Sequence, residues 1–250
     1  RNGVQAAALA RWQERGWPGP KEEAWRFTRL ASLDKLSLRP ADASLSAGMQ
    51  DIAADGVTPA APHVIRFHHG VLVDAGMQGA PDGVTLRRLD EVALTQMIDL
   101  LPLDHPVTDL SIAAMTSSLL IDVAAGAKVA SPIILMFTGD NQAVSTHPVV
   151  LLRVGAAAEA VVADWHQSEV GLSAPLLSVD IADNARLDYA KIQQDGSATN
   201  HLAATGVKMG KKAVLDGFQL SVGGCLARLE AHVVLARKVT SRQRCRVDGA

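Results

Sequence analysis

Val150-Leu151-Leu152-Arg153-Val154-Gly155 is echoed 27 residues on by Leu177-Ser178-Val179-Asp180-Ile181-Ala182, and after a further 28 by Thr205-Gly206-Val207-Lys208-Met209-Gly210. In each copy the first, third and fifth residues share one face of an extended strand, and a Gly or Ala follows. A second mark runs in phase: six residues beyond the last inward position comes another apolar one, at Ala160, Leu187 and Leu215. The five intervening residues are small, polar or charged, as in Gly155-Ala156-Ala157-Ala158-Glu159, and predict a tight corner between two strands. Leu119-Leu120-Ile121-Asp122-Val123, with Val129 six further on, reads as an earlier copy, spaced 31 residues from the next.

Period-two alternation inside a 27–28-residue repeat is the mark of a stacked architecture, because no single unit can bury its own apolar face. The expected fold is mainly β, a parallel β-helix (solenoid) core. A sandwich of similar hairpins is the alternative, since alternating strands and short turns serve both. A hexapeptide helix fits poorly, because no six-residue repeat runs continuously.

Before the repeat the texture differs. Ala6, Leu9, Ala10 and Trp12 have near-helical spacing, and Gly16-Trp17-Pro18-Gly19-Pro20 stops any helix. Residues 40–62 are rich in Ala, Ser, Asp and Pro and predict a mobile connection. Val64–Phe67 and Val71–Val73 flank His68-His69-Gly70 as a short hairpin. Leu89–Leu101 predicts a helix ended by Pro102 and Pro106. The chain thus divides into an N-terminal helical or α+β region, 1–110, and a β-helix core, 111–250. Beyond Leu235 the alternation fades in a basic stretch and resumes at Cys245-Arg246-Val247-Asp248. No solenoid cap follows, so the chain reads as stopping in mid-rung, and Arg1 in place of Met suggests residues before it.

Composition narrows the function. The net charge is −2 with 20% charged residues, which gives no bias towards nucleic acid or an anionic membrane. No apolar run approaches the roughly 18–20 residues of a membrane span. Two cysteines, Cys225 and Cys245, make no disulfide framework and suit a reducing compartment, by default the cytoplasm.

Motifs for chemistry are sparse. Gly206-Val207-Lys208-Met209-Gly210-Lys211-Lys212 has three residues between its glycines where a phosphate loop needs four, and Lys where it needs Ser or Thr. Asp164, His166, Ser168 and Glu169 lie close in sequence and read as solvated residues near a strand end. His68 and His69 are expected to point apart as chain neighbours, so no metal site is assigned to them. Cys225 and Cys245 are candidate iron or cluster ligands with His232 between them, but they stand 20 apart with no second pair. Cys225, after Gly223-Gly224, reads more simply as a small buried residue. No catalytic residue is assigned.

Several segments resemble a known family. Pro20-Lys21-Glu22-Glu23-Ala24-Trp25-Arg26-Phe27-Thr28-Arg29-Leu30 resembles the N-terminal signature of SufD proteins. Phe67-His68-His69-Gly70-Val71-Leu72-Val73 is similar to the hairpin that follows, with the paired histidines departing from its usual Asp/Asn-Gly turn. Ser131-Pro132-Ile133-Ile134-Leu135 resembles the entry into the core, and Asn184-Ala185-Arg186-Leu187-Asp188-Tyr189-Ala190-Lys191-Ile192-Gln193 resembles a core rung. Gly223-Gly224-Cys225-Leu226-Ala227-Arg228 resembles a Gly-Gly-x-x-x-Arg stretch, with Cys for the more usual Ala. The paralogue SufB shares the core rungs, and the Trp25 signature favours SufD.

The resemblance implies a right-handed parallel β-helix with helical regions at both ends. It also implies a non-catalytic scaffold that pairs with SufB, is coupled to the SufC ATPase, and carries an iron–sulfur cluster only transiently within the complex. The family's ligands lie around a Cys-Ser-His-Gly motif near the end of the β-helix, and no such segment is present here. No ligand is therefore carried over, and SufC docking by these residues alone is not implied. Two other readings are a homodimeric adaptor and a β-helix carbohydrate-active enzyme. The enzyme reading draws on Arg153, Asp180 and Lys208, which recur on one outward face. Opposite charges up such a column are read more simply as surface pairs.

Overall fold

The computed structural model describes residues 3–19, 21–28, 30, 33, 39–41, 63–73, 80–101, 105–236 and 240–248, the last stretch by its backbone alone. The expected connection at 40–62 lies almost wholly outside these residues, as does Pro102.

Helix α1 (Gly3–Arg15) ends at Gly16, whose N–H donates to the Trp12 carbonyl at 2.7 Å. A single 3-10 turn, Glu23–Trp25, precedes the short strand β1 (Arg39–Pro40). Strands β2 (His63–His68) and β3 (Val71–Val73) form the expected antiparallel hairpin. Its two turn residues, His69 and Gly70, have φ of 47° and 74°, as a type I′ turn requires. After β4 (Val84–Arg87) comes α2 (Glu91–Ile98), capped by the Asp90 carboxylate, which accepts from the Ala93 N–H at 2.7 Å. Pro106 does not extend the stop of that helix. It stands in the first turn of α3 (Pro106–Ala113), where the missing N–H has no intrahelical partner to lose.

From residue 118 the chain passes back and forth between two facing, mostly parallel sheets. One contains β5 (Ser118–Val123), β7 (Val144–Thr146), β8 (Val149–Val154), β10 (Val170–Ser173), β11 (Leu176–Ile181), β13 (Ala198–Met209) and β15 (Leu226–Leu235). The other contains β6 (Ile133–Gly139), β9 (Glu159–Ser168), β12 (Arg186–Asp195), β14 (Val214–Gly223) and β16 (Thr240–Asp248). The molecule is a parallel β-solenoid, and β2 continues the second sheet in parallel beside β6. Strands β3 and β4 lie antiparallel at the N-terminal edges.

The repeat is the rung. Leu119, Val150, Leu177 and Thr205 are register partners in adjacent strands, so even the copy offset by 31 residues stacks in phase. Ala160, Leu187 and Leu215 align likewise in the second sheet. Each corner that leads from the first sheet to the second is built alike. Its third residue is left-handed: Gly126, Ala157, Asn184 and Lys212 have φ of 74°, 57°, 59° and 57°. A backbone bond closes each turn, for example from the Ala185 N–H to the Ala182 carbonyl at 3.2 Å. Stacked corners leave little room, and a Cβ on Gly210 would lie 2.7 Å from the Asp183 nitrogen. Inward Leu119, Ile121, Leu152, Ile181 and Leu187 are fully buried between the sheets.

The outward face of the first sheet is also dry, because the helices cover it. Leu94 and Met97 of α2 and Ile112 of α3 pack with Leu120, Leu151, Leu176 and Ala204. The Ser178 hydroxyl donates to the Met97 carbonyl at 2.9 Å, and a Cβ on Gly206 would collide with the Leu100 carbonyl. Gly206 thus serves helix packing and does not shape a phosphate loop. Further along, Asp122, Arg153, Asp180 and Lys208 form a register column of alternating charge, with Lys208 Nζ 3.6 Å from Asp180 Oδ2. Such exposed pairs each contribute about 0–1 kcal/mol.

The N-terminal signature closes onto the solenoid. Trp25 is buried with Val107, Leu172 and Leu202, and the Arg228 guanidinium lies 4.0 Å from its ring centroid. Arg228 also donates to the Thr28 hydroxyl at 2.7 Å and the Ala24 carbonyl at 2.8 Å. One side chain of β15 therefore clamps residues 24–28. Arg228→Ala should release this segment at a cost of about 2 kcal/mol. Limited trypsinolysis checks it: cleavage after Lys21 and Arg26 should accelerate before the solenoid is cut.

Candidate functional site

Sheet alternation continues past the apolar rungs and carries polar residues inside. In β9, Ala160, Val162, Asp164, His166 and Ser168 share the inward phase, and all are buried. In β12 the same phase runs Leu187, Tyr189, Lys191, Gln193, Asp195, and in β14 it reaches Ser221. The expectation that Asp164, His166 and Ser168 are solvated is therefore corrected. The strand does not end at Asp164 but runs to Ser168, which keeps all three on the inner face; only Glu169, beyond it, is exposed.

These side chains satisfy one another. Lys191 Nζ donates to Asp164 Oδ2 at 2.8 Å, and the Tyr189 hydroxyl donates to the same oxygen at 2.6 Å. His166 Nε2 lies 3.4 Å from both Asp164 Oδ2 and Lys191 Nζ, and its ring stacks on Phe137 at 4.5 Å. A second centre forms around Asp195. Its Oδ2 meets His201 Nδ1 at 2.8 Å and accepts from Gln193 Nε2 at 2.9 Å, while its Oδ1 accepts from the Ser168 N–H at 2.8 Å. The His166 and His201 rings join the two centres edge to face at 4.9 Å.

The electrostatics follow. Burial opposes ionisation of Asp164, but Lys191 and His166 together hold its carboxyl well below the usual carboxylate range. Burial likewise opposes ionisation of Asp195, and the bond to His201 outweighs it, leaving the group below its ordinary value. Burial, and then the Lys191 charge, push the His166 imidazole down to about 4. Burial and Asp164 raise the Tyr189 phenol well above its ordinary value. Asp164 Oδ1, His166 Nδ1 and His201 Nε2 are buried without a protein hydrogen-bond partner. A buried ionic network is weak as a source of stability and clusters at functional sites, so it marks the interior as the candidate functional region. Its donor set, two imidazoles and two carboxylates balanced by one lysine, suits small charged species held away from bulk water.

Lys191, Gln193, Asp195 and His201 were not singled out in the sequence. The signal was present: stepping by two from Leu187 reaches Lys191, Gln193 and Asp195 in the inward phase.

The two cysteines are placed differently. Cys225 is exposed and free, which corrects its reading as buried. Gly223 and Gly224, with φ of 75° and 83°, turn the chain at this corner, outside the inward alternation of β14. Cys245 is on β16 opposite Gln219, a register position continuing through Lys191 to Asp164. Its side chain lies outside the described residues. His232, exposed on β15, is six residues beyond Leu226, where the strand starts next to Cys225, and thus about 20 Å along it, so the two do not converge. The structure does bring His68 and His69 together. The left-handed turn at His69 sets their rings 4.3 Å apart, contrary to the expectation for chain neighbours.

Among the described residues no helix is long and apolar enough to cross a membrane. Comparison with known proteins gives a family match over residues 136–244, to the SufBD core domain of SUF system FeS cluster assembly. The chloroplastic protein ABCI7 of Arabidopsis thaliana is 26% identical over 241 residues, covering 87% of this chain and 49% of its own length. The iron-sulfur cluster assembly SufBD family protein Rv1462 of Mycobacterium tuberculosis is 26% identical over 216 residues, covering 86% of this chain and 47% of its own. The counterpart in Mycobacterium bovis, Mb1497, matches equally. This chain spans about half the length of these relatives. The matched stretch is the stacked, polar-centred part of the solenoid, and over it the chain is similar to the SufBD core domain.

Proposed function

We propose that the protein is a SufD-like, non-catalytic scaffold subunit of a SUF complex, pairing with a SufB-like solenoid and coupled to a SufC-like ATPase. The observation that carries this reading is the coincidence of the SufBD core match, residues 136–244, with the stacked rungs. The resemblance of Pro20–Leu30, with Trp25, to the SufD N-terminal signature is what favours a SufD-like over a SufB-like subunit.

The cluster would be held transiently in the complex, with exposed Cys225 as one accessible thiol, and the cytoplasm is the proposed compartment. The full-length protein, co-expressed with SufB-like and SufC-like proteins, should co-purify with both. Failure to retain either partner would sink the scaffold reading, and a stable homodimer without them would favour the adaptor.

A further inference from the structure

His68, His69 and Asp140 each present a ligand atom, and the three atoms lie within 4.8 Å of one another. Both imidazoles are buried, while Asp140 is 54% exposed and stands at the solvent side. Strand pairing sets up the group. The His69 N–H donates to the Thr138 carbonyl at 2.8 Å, which fixes the turn of the hairpin against the end of β6. The left-handed His69, φ 47°, then brings its ring back over that of His68. Such a conformation is strained for a side chain of this size, and two adjacent imidazoles on one side are its result. Gly139 lies close beside it: a Cβ there would sit 3.2 Å from Ser168 Oγ and in ordinary contact, 3.4 Å, with His69 Nδ1.

We propose that His68, His69 and Asp140 bind a divalent transition-metal cation, zinc or ferrous iron, at the N-terminal end of the solenoid. Two imidazoles and one carboxylate are the donor set both cations take, with remaining positions open to water. The Thr138 hydroxyl lies 3.1 Å from His68 Nδ1, which orients that ring and leaves Nε2 as the binding nitrogen. His69 Nε2 is 3.0 Å from Asp140 Oδ1, and the cation would replace that hydrogen bond. A point midway between the most distant donors is about 2.4 Å from each, a few tenths of an ångström beyond the usual metal–nitrogen distance of about 2.0–2.1 Å. The site is separate from the Asp164 and Asp195 centres and does not depend on the scaffold reading. Bound metal would staple the β2–β3 hairpin to the segment after β6.

The test uses untagged protein and Co2+ as a visible probe. One equivalent should give d–d absorption bands that Zn2+, or Fe2+ added anaerobically, removes. Asp140→Asn changes an exposed side chain, and His69→Asn keeps a residue that tolerates the left-handed turn. Each should weaken binding at least about tenfold. His232→Ala, at a distant exposed position, should leave binding unchanged. Zn2+ should raise the melting temperature of the wild type and not of Asp140→Asn. Absence of Co2+ bands in the wild type, bands displaced by neither cation, or wild-type affinity in both variants would overturn the proposal.

Discussion

Lys191→Met should cost the fold about 3–5 kcal/mol, the largest effect expected of any single substitution in the interior. The change removes the lysine that is, among the described residues, the one cation hydrogen-bonded to Asp164, a carboxylate that is itself buried. The carboxylate then keeps the Tyr189 hydroxyl and loses its counter-charge. Much of the loss comes from the stranded charge and not from missing contacts, so a second substitution should recover it. Asp164→Leu combined with Lys191→Met should restore most of the stability, with a remainder because Tyr189 and His166 lose their shared acceptor. Urea unfolding midpoints of the three variants check this. A loss of less than about 1 kcal/mol for Lys191→Met would mean that the pair is not held dry.

The second large effect is acid destabilisation beginning near neutrality. Burial pushes His147 and His166 from the ordinary 6.5 down to about 4, so both are neutral in the folded chain where the unfolded chain is protonated. Between pH 6.5 and about 4 the unfolded state binds more protons, and stability must fall as the pH falls. The loss is on the order of 1–3 kcal/mol for each histidine by pH 4. Asp164 and Asp195 act in a lower window. Their folded values lie below the ordinary 3.8, so their contribution is complete above it and is lost only as pH drops further. Unfolding midpoints from pH 7.5 to 4.5 should therefore fall steadily, and His147→Asn with His166→Asn should flatten that slope. An unchanged slope in the double variant would assign the acid sensitivity to other groups.

Both effects come from residues whose position was more legible than their environment. The rung could be read because backbone stacking demands the same small or apolar residue at the same place in each turn. Val150, Leu177 and Thr205 therefore mark the register directly. The corner was legible from its constant length and its small or polar residues, whereas the left-handed position shared by Gly126, Ala157, Asn184 and Lys212 was not, since four different residue types occupy it. The polar interior was not recognised, because Asp164 and His166 were read by polarity and not by phase. Polarity argues for solvent, whereas phase from Val162 places both inside. A partner such as Lys191 becomes evident only when β12 is laid against β9, with Lys191 opposite Asp164. The metal-site geometry at His68 and His69 was hidden differently: it depends on one residue's φ, which no spacing reports. Cys225 looked buried because its neighbours are glycines, yet it is the turn they make that sets it outside.

The scaffold reading makes a direct statement about what the protein contributes to cluster assembly. The most direct measurement is anaerobic reconstitution with ferrous iron and sulfide of the complex of full-length protein with its SufB-like and SufC-like partners, followed by transfer to an apo-acceptor. A complex containing the protein should assemble a cluster with visible absorbance and pass it on, and omission of the protein should abolish transfer. Equal cluster assembly and transfer by the two partners alone would contradict the account.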